Sequence, residues 1–137
     1  MLAVSGLMLS ACHSNTANSA NRSDSTKGVA MHNSPKFKFD NDTHDFGKIK
    51  EGDKITYNFN FSNVGKSPLI ISNVVASCGC TQPTWPKSPV KPGEGGQIAV
   101  TFNSTGHTGL QDKMITITAN TDTAESTLHL VGEVLKK

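Results

Sequence analysis

The stretch Ile55-Thr56-Tyr57-Asn58-Phe59-Asn60-Phe61-Ser62 decides the fold. Apolar and polar side chains alternate strictly along it, a period of two that marks a β-strand with one buried and one wet face. The same rhythm continues on both sides. Downstream, Ile98, Val100 and Phe102 alternate with Gln97, Thr101 and Asn103; Ile115, Ile117 and Ala119 form the next run, and Leu128 and Leu130 the last. Upstream, Phe37 and Phe39 make a short first strand, and Phe46 and Ile49 flank a turn containing Gly47. Leu69 to Ala76 is a strand whose alternation is broken at Ser72 and Asn73, which predicts a bulge there.

Gly, Pro or Asn closes each run, and about seven strands with turn signals roughly every ten residues is the pattern of an all-β, immunoglobulin-like β-sandwich. A jelly roll or a small barrel shares the same periodicity. The Cys–Cys–Trp constellation of antibody-type domains is missing, so Tyr57, Phe59, Ile115 and Ile117 are expected to fill the space between the sheets.

The chain has 137 residues, enough for one domain of about 100 residues and a tail. Kinases, TIM barrels and two-domain dehydrogenases need roughly 200 residues or more, so Asp45-Phe46-Gly47 is no kinase signature. Thirteen Lys and Arg against eleven Asp and Glu leave a net charge of +2, with no basic block, so no nucleic-acid partner is expected.

Residues 1–11 are apolar, uncharged and too short to span a bilayer, and they stop at Cys12 where Ser, Asn and Thr take over. This is the apolar part of a secretory signal, and Leu9-Ser10-Ala11-Cys12 resembles a bacterial lipobox, which makes Cys12 the lipidated residue. No Lys or Arg precedes the apolar run, so Met1 is expected to lie inside a longer signal. Residues 12–35 are polar and aperiodic, a Ser/Asn-rich flexible tether with a typical span of roughly 25 to 30 Å. Residues 36–137 form the domain.

Cys78-Gly79-Cys80 is the sharpest chemical signal, and Pro83, Trp85, Pro86, Pro89 and Pro92 after it predict a rigid loop. In an oxidising compartment the pair reads first as a disulfide closing a three-residue ring, for which chain entropy supplies about 1.6 kcal/mol. Two alternatives stay open. One is a soft-metal site, Cu(I) or Zn, held by the two thiolates with help from His44 or His107; the other is thiol redox exchange, although that chemistry favours Cys-X-X-Cys at a helix start. Trp85 is a candidate binding-loop residue, because an amphipathic indole makes a good anchor. His32, His107 and His129 read as solvent-facing. No catalytic residue and no cofactor is expected, since no nucleophile elbow, phosphate loop or paired-carboxylate pattern is present.

Thr43-His44-Asp45-Phe46-Gly47 with Ile49 and Gly52, Asn63, Gly65, Pro68-Leu69, Ser77-Cys78-Gly79-Cys80-Thr81, Trp85-Pro86 and Pro92-Gly93-Glu94 resemble the bacterial domain-of-unknown-function 1573 (DUF1573) family. The resemblance runs from Phe37 to Val134. It implies an Ig-like fold related to Hydin and major-sperm-protein domains, and a source among the Bacteroidetes, where such domains often follow a lipoprotein signal. The absence of an acidic run after Cys12 points to an anchor facing the periplasm, in the outer membrane. The expected function is a non-enzymatic envelope lipoprotein: membrane-bound through its lipid, and contacting an envelope protein or glycan through end loops or a strand edge.

Overall fold

The computed structural model describes residues 33–137. Cys12, the signal segment and the tether up to residue 32 lie outside the described residues.

Eight strands run in the order β1 (Phe37–Phe39), β2 (Thr43–Lys50), β3 (Lys54–Asn63), β4 (Ile71–Ala76), β5 (Thr81–Thr84), β6 (Gly95–Asn103), β7 (Gly109–Ala119) and β8 (Glu125–Leu135). They form two four-stranded sheets, β1-β3-β6-β5 and β2-β8-β7-β4. All pairings are antiparallel except β2 with β8. The fold is an Ig-like sandwich. Alternation fixes which side chains face inward: Phe59, Phe61, Ile98, Val100 and Phe102 from one sheet meet Val74, Ile115, Ile117, Leu128 and Leu130 from the other. Burying one such side chain contributes about 1.5 to 3 kcal/mol. Tyr57 is half-buried, packed against this core at its margin.

Two local readings change and a third holds. Phe46 and Ile49 do not flank a turn; both lie within β2, the additional strand. Gly47 adopts φ +71° and donates its N–H to the Asp45 carboxylate at 2.7 Å, so the turn-like chemistry is a bulge. The β2–β8 register shifts between Asp45 and Lys48 and then resumes. Phe46 lies directly over Gly132 of β8, where a Cβ would collide with its ring. The Pro-rich stretch is likewise not all loop: Thr81 to Thr84 pair with β6, and Pro83 is tolerated because β5 is an edge strand. The bulge expected at Ser72 and Asn73 is present as a register shift between Ile71 and Asn73.

Each end of the sandwich is tied by a buried polar side chain. Asn63 is fully buried; its Oδ1 accepts the N–H groups of Lys36 (3.2 Å) and Gly65 (3.0 Å), and its Nδ2 donates to the carbonyls of Ser67 (2.8 Å) and Val90 (3.0 Å). Asn33 to Pro35 lie at this end, with the Ser34 carbonyl accepting Lys66 N–H and the Asn33 carbonyl accepting the Ser67 hydroxyl. At the other end buried Ser104 places its Oγ 2.9 Å from the carbonyls of both Lys50 and Asp53. Asn63→Ala leaves several buried backbone groups unpaired and is expected to lower unfolding free energy by about 3 kcal/mol. Urea unfolding followed by circular dichroism checks this, with Thr56→Ala on the exposed face expected to change it by under about 0.5 kcal/mol.

Candidate functional site

The β4–β5 connector crosses from one sheet to the other and carries the cysteine pair. Ser77 holds its start, with its N–H donating to the Met114 carbonyl (2.8 Å) and its Oγ accepting the Met114 N–H (3.2 Å). The Cys80 carbonyl, accepting Asn103 N–H at 2.9 Å, holds the far side. Between these anchors Cys78 and Cys80 are joined by a disulfide with their Cα atoms 5.3 Å apart, inside the range such a bond permits. Both are half-buried, and Gly79 at the tip is exposed. The buried Thr81 hydroxyl sits beneath them, 3.6 Å from Cys78 Sγ and 3.7 Å from Cys80 Sγ.

A shallow polar concavity of about 140 Å³ adjoins the disulfide, lined by Lys54, Gly79, Cys80, Gln82, Thr101 and Asn103. Lys113 was not singled out from the sequence, yet it is buried and points inward from β7, its ammonium 5.2 Å from the centre of the Phe102 ring. The alternation that buries Ile115 and Ile117 already assigns Lys113 to the inner face; its charge hid it.

His44 is not gathered with the cysteines into a ligand set. Its ring stacks on Tyr57 at 3.5 Å with planes 5° apart. Among the described residues no group of three or more His, Cys, Asp and Glu could hold a metal. His107 is half-buried with its ring 6.0 Å from that of Phe102, and His129 is half-buried with Nδ1 2.9 Å from the Asp112 carboxylate. His129 faces outward as expected, between inward Leu128 and Leu130, whereas His107 departs from the expectation because its ring turns towards Phe102. Trp85 is half-buried against the core at the end where Pro35 enters, its buried Nε1–H has no hydrogen-bond partner among the described residues, and the Lys87 ammonium lies 3.1 Å from its ring centre.

With this geometry in place, the comparisons with known proteins are direct. The family described as "Protein of unknown function (DUF1573)" matches residues 37–134, and the chain belongs to it. No curated protein matches the sequence. Among solved structures, the chain is similar to a protein of unknown function from Porphyromonas gingivalis W83, with TM-score 0.66 and 15% identity over 78% of this chain and 51% of that one. It is also similar to the ASH/PapD-like domain 7 of human CEP192, with TM-score 0.60 and 11% identity over 77% of this chain and 89% of that domain. A third likeness is to the secreted serine protease VesC of Vibrio cholerae, at TM-score 0.55 and 13% identity over 76% of this chain and 24% of the protease. The chain thus spans about half of the Porphyromonas protein and a quarter of the protease; at these identities the likeness is one of fold.

Because the disulfide closes only three residues, the Cys78→Ser/Cys80→Ser double variant is expected to lose no more than about 1.6 kcal/mol of stability. A urea titration of both proteins without reductant measures this, with the m-value unchanged.

Proposed function

We propose that this DUF1573 chain is a non-enzymatic lipoprotein of the bacterial cell envelope, anchored through Cys12 in the outer membrane and facing the periplasm. Its sandwich serves as an interaction module for another envelope protein or a glycan. The observation that carries this reading is where the N-terminal side of the domain enters. Ser34 and Lys36 bond to Lys66 and Asn63, so the chain arrives at the end holding the β3–β4 loop. The disulfide connector and the β2–β3 turn lie at the opposite end, where Asn103 N–H bonds to Cys80 and Ser104 N–H to Asp53. A tether from Cys12 would therefore hold one end and present the opposite end and both outer faces. Two or three acyl chains on Cys12 suffice for stable anchoring, because one chain alone is marginal.

The test is fractionation of the full chain, with a short Lys/Arg-containing segment placed ahead of Met1 to complete the signal, expressed in a Gram-negative host. The wild type is expected in the membrane fraction, cleaved before Cys12 and heavier than the bare residue by its acyl groups. Cys12→Ala is expected in the soluble fraction without that mass; equal membrane association of both forms removes the lipoprotein reading.

A further inference from the structure

The two outer faces of the sandwich differ in chemistry. Register places Lys54, Thr56, Asn58, Asn60 and Ser62 of β3 in one row on the outer face of the first sheet. Opposite them stand Asn103, Thr101, Ala99, Gln97 and Gly95 of β6, and Gln82 and Thr84 of β5 continue the rows beyond Thr101 and Ala99. The charges of this face lie on its margin: Lys38 and exposed Asp40 at the β1 edge, the latter with its N–H on the Asn60 carbonyl at 3.2 Å, and Lys54 at the far end of β3; the rows of β3, β6 and β5 between them carry no acidic and no large apolar side chain. The outer face of the second sheet carries Asp45, Lys48, Asp112 and Glu133 together with exposed Leu110, Met114 and Val75.

We propose that the carboxamide- and hydroxyl-lined face of β3, β6 and β5 binds a neutral polysaccharide, with Asn58, Asn60, Gln97 and Gln82 as its hydrogen-bonding residues. This rests on the interaction-module reading and names its partner class. Four observations support it. The carboxamides of Asn58, Asn60, Gln82 and Gln97 are exposed and make no hydrogen bond among the described residues, so each offers two donors and an acceptor outward. Such groups match sugar hydroxyls, which both donate and accept. The uncharged rows between these marginal charges match an uncharged ligand, whereas a protein partner would require the apolar or aromatic anchors that this face lacks. The rows are also regularly spaced, roughly 4.8 Å between strands and roughly 6.8 Å along one, so a chain of sugar rings crossing the strands meets one row after another.

The concavity beside the disulfide closes one end of these rows. Lys54, Gln82, Thr101 and Asn103 line it, while Cys80 and Gly79 form its wall. Thr101 is tied to Thr56 through their hydroxyls at 2.9 Å, which fixes the floor between the rows. Without an aromatic ring to stack on, each contact exchanges with water and the affinity for a single sugar is low. A polymer gains by presenting many equivalent registers.

Native affinity electrophoresis tests this with the full chain carrying Cys12→Ala. The gels contain xyloglucan, galactomannan, laminarin or dextran. Retardation in at least one gel is expected, with apparent affinity falling at least tenfold in Asn58→Asp/Gln97→Glu, a variant that keeps side-chain shape at exposed positions. An unchanged urea midpoint shows that the double variant is folded, and Met114→Gln on the other face is expected to retain binding. No retardation in any gel, or equal retardation of the double variant, overturns the proposal. So does crosslinking in the envelope to a protein partner at this face. That last result leaves the interaction-module reading standing, whereas failure of the Cys12 fractionation removes the anchor and leaves glycan binding unaffected.

Discussion

Asn63 is the constraint on which the anchor-side half of the sandwich depends. It ends β3 at a point where three chain segments converge: the approach to β1 at Lys36, the β3–β4 loop at Gly65 and Ser67, and the β5–β6 loop at Val90. The N–H groups of Lys36 and Gly65 and the Ser67 carbonyl have no ladder partner there, and the Val90 carbonyl, already bonded to Leu69 N–H, accepts a second bond. A buried, unpaired amide costs about 1 to 3 kcal/mol, so one carboxamide that answers four of them at once does work that no apolar residue of the same size could. The loops it fixes are then free to place apolar residues inward. Leu69 and Val90 exchange backbone hydrogen bonds at 2.8 and 2.9 Å and are both buried. The Gly93 N–H in turn donates to the Asn63 carbonyl at 2.8 Å.

Ser104 answers the same problem at the far end with less. Its hydroxyl sits between the carbonyls of Lys50 and Asp53, and its N–H reaches Asp53 as well, so the β2–β3 turn is pinned to the end of β6. The Asp53 carboxylate accepts Lys50 N–H at 2.9 Å and completes the turn. Between the two clamps the core is apolar and needs only alternation. Local polar satisfaction fixes the ends while the hydrophobic effect fixes the middle.

That division explains what the sequence disclosed. The strands with a run of apolar residues along the inner face, β3, β6, β7 and β8, were legible from period-two alternation, and so was the bulge at Ser72 where alternation fails. The structure departs where a turn residue sits inside a ladder. Gly47 with Asp45 carries turn chemistry, yet the parallel pairing with β8 runs through it, a tertiary contact invisible to a local pattern. Pro83 reads as loop for the same reason; only its edge position, which depends on the partner strand β6, makes it admissible. Of the candidate site, the cysteine pair and its short ring were legible. The stacking of His44 on Tyr57 was not, because residues thirteen positions apart on strands of different sheets carry no joint signature in sequence.

The edges bear on how such a domain meets its surroundings. Unpaired strand edges invite pairing with another chain, and three of the four edge strands are blunted by different means. β1 is three residues long, β5 contains Pro83, and β2 is broken by the Gly47 bulge and carries Lys48 and Lys50. The fourth, β4, has only the irregularity at Ser72, and Val75 is exposed on it. Strand addition is therefore impeded along most of the perimeter, and the faces are left as the broad accessible surfaces. On those faces the charges and apolar groups are concentrated on the β2-β8-β7-β4 side. The β1-β3-β6-β5 side keeps its charges, Lys38, Asp40 and Lys54, at its margin and carries no large apolar side chain, an asymmetry that core packing does not require, because these side chains point away from the core.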